Sequence, residues 1–293
     1  MKIKSILLTL IASASFFFAS AQGLSYGFKV GLNFSQLQGD LENDAAGMSF
    51  ESMNYSTGFH IGAGVIYKFT DRFGLKGDFL FTQKGGKQSF DGEGVQLFYN
   101  ATGAAVPFEG NRNSFLRTTN SYLEFPITAY GRFGNLEISG GFYVGFLVSS
   151  KAVGNITFSG DQLASDELNA NLEYNYFKDD PSDPSTWEPV DFNILSINGT
   201  QGLYPEDVGG YYDHLTKDGN FFKGVDMGLN AGLAYFVNQG LFIGFNLNYG
   251  LVDVTNNNFD ISYAELDGTT STYKSRNDSD KNFTLQASVG FSF

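Results

Sequence analysis

The last twelve residues, Asn282 to Phe293 (NFTLQASVGFSF), constrain this chain more than any other stretch. Phe283, Leu285, Ala287, Val289, Phe291 and Phe293 share one parity, while Thr284, Gln286, Ser288, Gly290 and Ser292 share the other. Period-two alternation places side chains on opposite faces of a strand, here one greasy and one small and polar. An apolar-out strand ending on an aromatic is the pattern with which a transmembrane β-barrel closes. A soluble sandwich also alternates, but it buries its apolar face against a second sheet.

The N-terminus carries a matching address. Lys2 and Lys4 precede an apolar run from Ile6 to Phe18, and Ala19-Ser20-Ala21 forms a small-x-small cleavage pattern. Residues 1–21 are therefore expected to be a signal peptide and 22–293 one outer-membrane domain, with no lipoprotein Cys after the cleavage site. No later stretch is long and apolar enough for a spanning helix, so any crossing must be made by strands, which must close on themselves to satisfy every backbone group.

Period-two scanning finds eight candidate strands: 24–37, 55–69, 73–83, 119–130, 136–149, 222–237, 241–253 and 282–293. The connections alternate long, short, long, short, long, short, long. The longest is the third external loop, about residues 150–221. Short turns on one side and long loops on the other fit an all-β, eight-stranded antiparallel transmembrane up-and-down β-barrel with long extracellular loops in a Gram-negative outer membrane. Aromatics beside the short turns (Phe69, Phe73, Phe133, Tyr235, Phe291 and Phe293) suit an interfacial girdle, whereas Tyr130 and Phe242 fall on the inward parity. Pro126 also falls inward in a strand; lacking a ladder donor, it predicts a bulge or kink at that point.

The polar parity holds Lys29, His60, Lys68, Lys76, Asp78, Glu124, Glu137 and Asp226. An eight-stranded barrel has room only for side chains. These residues are expected to form a structural charge network filling the lumen, with ion or proton conduction as the alternative. The chain carries 31 acidic residues and no Cys, and cleavage of the signal leaves 16 basic residues and a charge near −15. That composition excludes disulfides and thiolate chemistry and argues against nucleic-acid binding. The third loop is acidic (Asp179, Asp180, Asp183, then Glu206 and Asp207) and contains Trp187. A solvated loop and a divalent-cation site are both open readings, although no EF-hand spacing is present. Asp213 beside His214 is the one pair that could serve hydrolysis, but no Gly-x-Ser-x-Gly elbow accompanies it. No enzyme, metal or cofactor is expected.

The segments Gly27-Phe-Lys29-Val-Gly31-Leu-Asn33-Phe-Ser35, Gln83-Lys84-Gly85-Gly86, Tyr122-Leu123-Glu124-Phe125-Pro126, Asp226-Met-Gly228 and Gly290-Phe-Ser-Phe293 resemble, in order and spacing, the PorT-like outer-membrane β-barrel (porin-like) family of Bacteroidetes. The resemblance implies an outer-membrane location and an eight-stranded barrel but no single activity, a few members serving protein secretion and gliding. The leading expectation is a non-enzymatic barrel presenting its external loops for binding or envelope support. The alternative is a transport- or secretion-associated barrel, either a minor channel or the partner of an export machine. Outer-membrane lipid is the one implied partner, with envelope or secretion proteins as further candidates.

Overall fold

The computed structural model describes residues 23–43, 47–163, 167–181, 192–214, 216–267 and 272–293. The expected signal peptide, Asp183 and Trp187 lie outside the described residues. In chain order the strands are β1 (Leu24–Gln38), β2 (Glu51–Asn54), β3 (Ser56–Lys68), β4 (Phe73–Tyr99), β5 (Ala105–Phe133), β6 (Leu136–Ser159), β7 (Glu167–Asn175), β8 (Phe192–Ile197), β9 (Thr200–Pro205), β10 (Asp207–Val208), β11 (Val225–Phe236), β12 (Leu241–Gly250), β13 (Ile261–Leu266), β14 (Tyr273–Ser275) and β15 (Lys281–Ser292). Eight of them form a ring, β1–β3–β4–β5–β6–β11–β12–β15, in which every neighbouring pair is antiparallel and β15 returns to β1.

Local chemistry makes the short turns. Thr70 Oγ1 accepts from the backbone N–H groups of Arg72 (3.2 Å) and Phe73 (3.0 Å), closing the β3–β4 turn. Gly134, at φ +63°, takes the first of two loop residues between β5 and β6, where a tight hairpin needs positive φ. Asn238 Oδ1 accepts from the N–H groups of Gly240 and Leu241 and folds the β11–β12 turn.

Burial in the ring is inverted relative to a water-soluble sheet. Phe28, Leu32, Ile61, Phe79, Phe142, Leu229, Phe245 and Val289 are exposed on the outside, while His60, Glu124 and Asp226 are wholly buried within. Glycines admit the inner side chains. A Cβ on Gly31 would stand 2.6 Å from His60 Cε1, and one on Gly228 would stand 2.7 Å from Tyr143 Cε1.

Two features differ from the sequence expectation, and in a third the long connections take one of the forms open to a loop of that length. The polar segment after residue 83 is not a loop. β4 runs on to Tyr99 and β5 begins at Ala105, so the hairpin continues well past the apolar belt, and β6 likewise reaches Ser159. Its polar, Gly-rich composition hid the strand because it carries no sustained alternation of apolar and polar residues there. Pro126 does not mark a bulge. It opens a gap in the β4–β5 ladder, between Gly77↔Ile127 and Leu80↔Glu124, with the register preserved. The bulge lies farther up, between Ser121 and Tyr122, where Val148 is the extra residue on β6. Finally, the long connections fold into a cap with apolar cores of its own. One gathers Phe98, Phe108, Phe158, Ile197, Tyr204 and Tyr212; another, over the mouth of the ring, gathers Leu37, Tyr176, Tyr211, Phe222, Val254 and Phe259.

Candidate functional site

The ring interior is layered from the short turns upward. Ile66, Tyr130 and Phe236 are buried at the bottom, and the Arg132 guanidinium lies 3.5 Å from the centre of the Phe236 ring. Glu137 accepts from Lys76 and from Arg132 (3.0 Å), and Lys29 pairs with Asp78 at 2.7 Å. A cavity of about 60 Å³ opens among these groups.

The middle layer is a fixed hydrogen-bond chain. The two N–H groups of Asn33 Nδ2 are shared among Thr82 Oγ1 (2.8 Å) and the carbonyls of Gln83 (2.7 Å) and Phe59 (3.1 Å), leaving its Oδ1 as the acceptor for His60 Nδ1–H at 2.7 Å. His60 Nε2, 2.9 Å from Ser288 Oγ, then accepts the serine proton, so the ring fits as a neutral imidazole.

Above it sits Lys84, with no side-chain exposure, 2.5 Å from Glu124 Oε2 and 2.9 Å from Asp226 Oδ2. Asn282 and the Tyr143 hydroxyl also donate to Asp226, Asn248 donates to Glu124, and the Lys84 ammonium lies 3.9 Å from the Tyr143 ring centre. Two carboxylates against one ammonium leave a negative excess, which these neutral donors spread.

Of the eight inward residues expected from the sequence, seven meet partners inside the ring. Lys68 does not: it is the last residue of β3, exposed at the rim, and makes no ion pair among the described residues. A flexible ammonium at a strand end reaches water more cheaply than it desolvates. Lys84 and Arg132 are network members that the expectation missed. Lys84 continues the parity of Lys76, Asp78 and Thr82, and that was the available signal.

The cap rests on a second polar cluster. Arg276 donates to Glu51 Oε2 (3.1 Å), Asp278 Oδ2 (2.8 Å) and the Asp40 carbonyl, tying the first long connection to the fourth. Burial and the hydrogen-bonded Asp278 carboxyl push Asp260 up to about 8. Burial likewise pushes Asp280 up to about 6. Asp213 and His214 face different partners. Asp213 Oδ1 accepts from Gln96 Nε2 (2.8 Å) and the Tyr273 hydroxyl (3.0 Å), while the His214 ring packs T-shaped on Phe259 and Tyr211. In the acidic third loop Asp179 is similarly engaged: its Oδ2 accepts from the backbone of Asn175 and Gly210, and its carbonyl accepts from Lys217, while Asp180 stays largely exposed. Among the described residues no three His, Cys, Asp or Glu side chains gather as a metal site.

Against this geometry, residues 18–256 match the model of a family described as outer membrane protein beta-barrel domain. Similar solved structures include Ail, the attachment invasion locus protein of Yersinia pestis (11% identity over 92% of this chain and 99% of that one, TM-score 0.33). The outer membrane protein OprG from Pseudomonas aeruginosa (11%, 94% and 99%, TM-score 0.30) and the outer membrane protease OmpT from Escherichia coli (8%, 94% and 97%, TM-score 0.32) are also similar. No curated protein matches the chain. With a family match over most of its length and an apolar belt around a polar interior, the chain belongs to the outer membrane protein β-barrel domain family and is a protein of the outer membrane.

Proposed function

We propose that the eight-stranded ring is a transmembrane β-barrel, of the PorT-like kind found in Bacteroidetes, that conducts nothing and holds a folded extracellular cap in place for binding or envelope support. The carrying observation is the Lys84–Glu124–Asp226 triad, which has no side-chain exposure and fills the lumen beneath the cap. The outward residues of β6 from Leu136 to Val148 span roughly 40 Å along the strand, or about 28 Å at a ~45° tilt, which suits the apolar band of an outer-membrane barrel.

The cap has the chemistry of a binding platform rather than of a catalyst. Its apolar cores hold it rigid, most of the chain's acidic residues lie in the connections that form it, and its Asp–His neighbours are engaged elsewhere. Such loops on a rigid scaffold are where binding residues concentrate.

The test is conductance across a planar lipid bilayer with the purified full chain. A plugged barrel gives no stable steps. A persistent large open pore would overturn the reading in favour of a transport role.

A further inference from the structure

The cap encloses a chamber of about 100 Å³ above the mouth of the ring, where Asp213, Asp260, Asp278 and Asp280 stand against two cations, Arg112 and Arg276. Arg112 is matched to Asp213 through Gln96, which accepts from Arg112 Nη1 at 2.7 Å and donates to Asp213 at 2.8 Å. Arg276 is divided among three acids, Glu51 at 3.1 Å, Asp278 at 2.8 Å and Asp260 at 3.9 Å. Asp280 makes no ion pair among the described residues; its Oδ2 accepts from Thr255 Oγ1 at 3.0 Å. Three acids around one guanidinium, and a fourth acid beside them with none, leave the chamber negative.

Buried acids that lack a counter-ion take up protons instead. Burial and the Asp278 carboxyl push Asp260 up to about 8, and burial pushes Asp280 up to about 6. The other titratable groups around them add no positive charge. Burial pushes the His214 imidazole down, keeps Tyr174, Tyr176 and Tyr263 protonated, and raises Glu42 behind Arg276. The rest of the wall is largely aromatic, with Tyr174, Tyr176, Phe221, Phe222 and Phe259 on it, and Tyr174 and Phe221 keep part of their surface uncovered. Ring faces attract cations, and aromatic cages are a recurrent means of recognising methylated ammonium groups. A metal ion fits less well, since calcium takes about 6–8 oxygens and no three acids gather as its ligands among the described residues. At about 30 Å³ per water, the space takes an ion of a few heavy atoms.

We propose that this chamber binds a small methylated ammonium ion, its methyl groups against the aromatic wall at Tyr174 and Phe221 and its charge answered by Asp260 and Asp280. The site rests on the reading of the cap as a binding platform over a sealed ring. Bilayer conductance tests that reading without the ligand, so the two fail separately.

The experiment follows the methyl resonance of tetramethylammonium by saturation-transfer difference, titrated into the folded full chain in an uncharged, deuterated detergent. Saturable transfer is expected, and neopentyl alcohol, an uncharged molecule of similar shape, should not displace it. The bound cation favours ionised Asp260 and Asp280, so affinity should be about tenfold or more weaker at pH 6 than at pH 9. Asp260→Asn keeps the shape of the protonated acid and should weaken binding at pH 9 about tenfold or more. Phe221→Leu should weaken it about threefold or more through loss of the ring. Absence of saturable transfer, displacement by neopentyl alcohol, an affinity independent of pH, or wild-type affinity in Asp260→Asn overturns the site. Displacement by equimolar calcium chloride is equally fatal, because it assigns the chamber to a metal ion. Should a variant not fold, the pH dependence and the uncharged competitor decide on the wild-type chain alone.

Discussion

Replacing Lys84 by Met is the sharpest test of the lumen. Lys84, Glu124 and Asp226 have no side-chain exposure, and the ammonium lies within 3 Å of both carboxylates. Its removal strands two buried acids. Tyr143 and Asn282 still donate to Asp226, and Asn248 to Glu124, so the acids keep hydrogen bonds but lose their counter-ion. Breaking a buried pair by deleting one partner costs about 3–5 kcal/mol. At 1.36 kcal/mol per decade, that is roughly a 10²- to 10⁴-fold drop in the folded-to-unfolded ratio. Uptake of a proton by one carboxyl limits the loss toward the lower figure. The triple variant Lys84→Met, Glu124→Gln, Asp226→Asn removes the charges altogether, and by the same reasoning lies within about 2 kcal/mol of wild type. The assay is a urea series on protein folded into lipid vesicles, with heat-modifiable gel migration reporting the folded fraction. A Lys84→Met midpoint equal to that of wild type, or a triple variant no better than the single one, would refute the assignment of Lys84 as the counter-ion of the lumen.

Three further outcomes follow from the same structure. Gly228→Ala places a Cβ 2.7 Å from Tyr143 Cε1 and 2.2 Å from the Tyr249 carbonyl oxygen, so it should destabilise the ring by about 1–3 kcal/mol in the urea series. Gly77→Ala, which meets nothing within 4 Å, is the matched control and should be nearly neutral. Phe98→Ala, in the cap core with no exposure, should cost about 3–5 kcal/mol locally; proteolysis of the cap should rise while gel migration of the ring stays unchanged. Asp260, held near 8 by burial and by Asp278, keeps a proton in the folded cap that the unfolded chain releases near 4. Its contribution is therefore present at acid pH and fades as pH rises from about 4 to 8, with Asp280 adding to the fall between about 4 and 6. Asp260→Asn should flatten this dependence, measured by hydrogen exchange in β13 and β14.

Sequence reading reached the ring but stopped at its upper rim. Wherever lipid covers one face and polar side chains fill the other, parity carries the signal, and Lys29, Asp78, Glu124 and Asp226 could all be placed by counting in twos. Above the apolar belt the contrast disappears. Val95, Gln96, Leu97, Phe98 and Tyr99 are all buried, because the cap packs on both faces of β4, and a strand covered on both sides has no period to detect. Lys84 lies one residue beyond the strand that the period predicts, at the start of the polar Gly-rich stretch. Arg276 is illegible for another reason: its partners Glu51 and Asp40 lie far along the chain, and no local pattern announces such pairings.

The seam between β1 and β15 has a consequence for assembly. It pairs Gly27 with Ser292 and Gln38 with Lys281, so the ring's first and last strands meet only after every strand between them has been made. Until then both strands present unsatisfied edges, and contacts of such high order form slowly. Removal of the final strand would reopen β1 and β12 together, turning a sealed molecule into one with two adhesive borders. Integrity of β15 is thus a checkpoint for the entire ring.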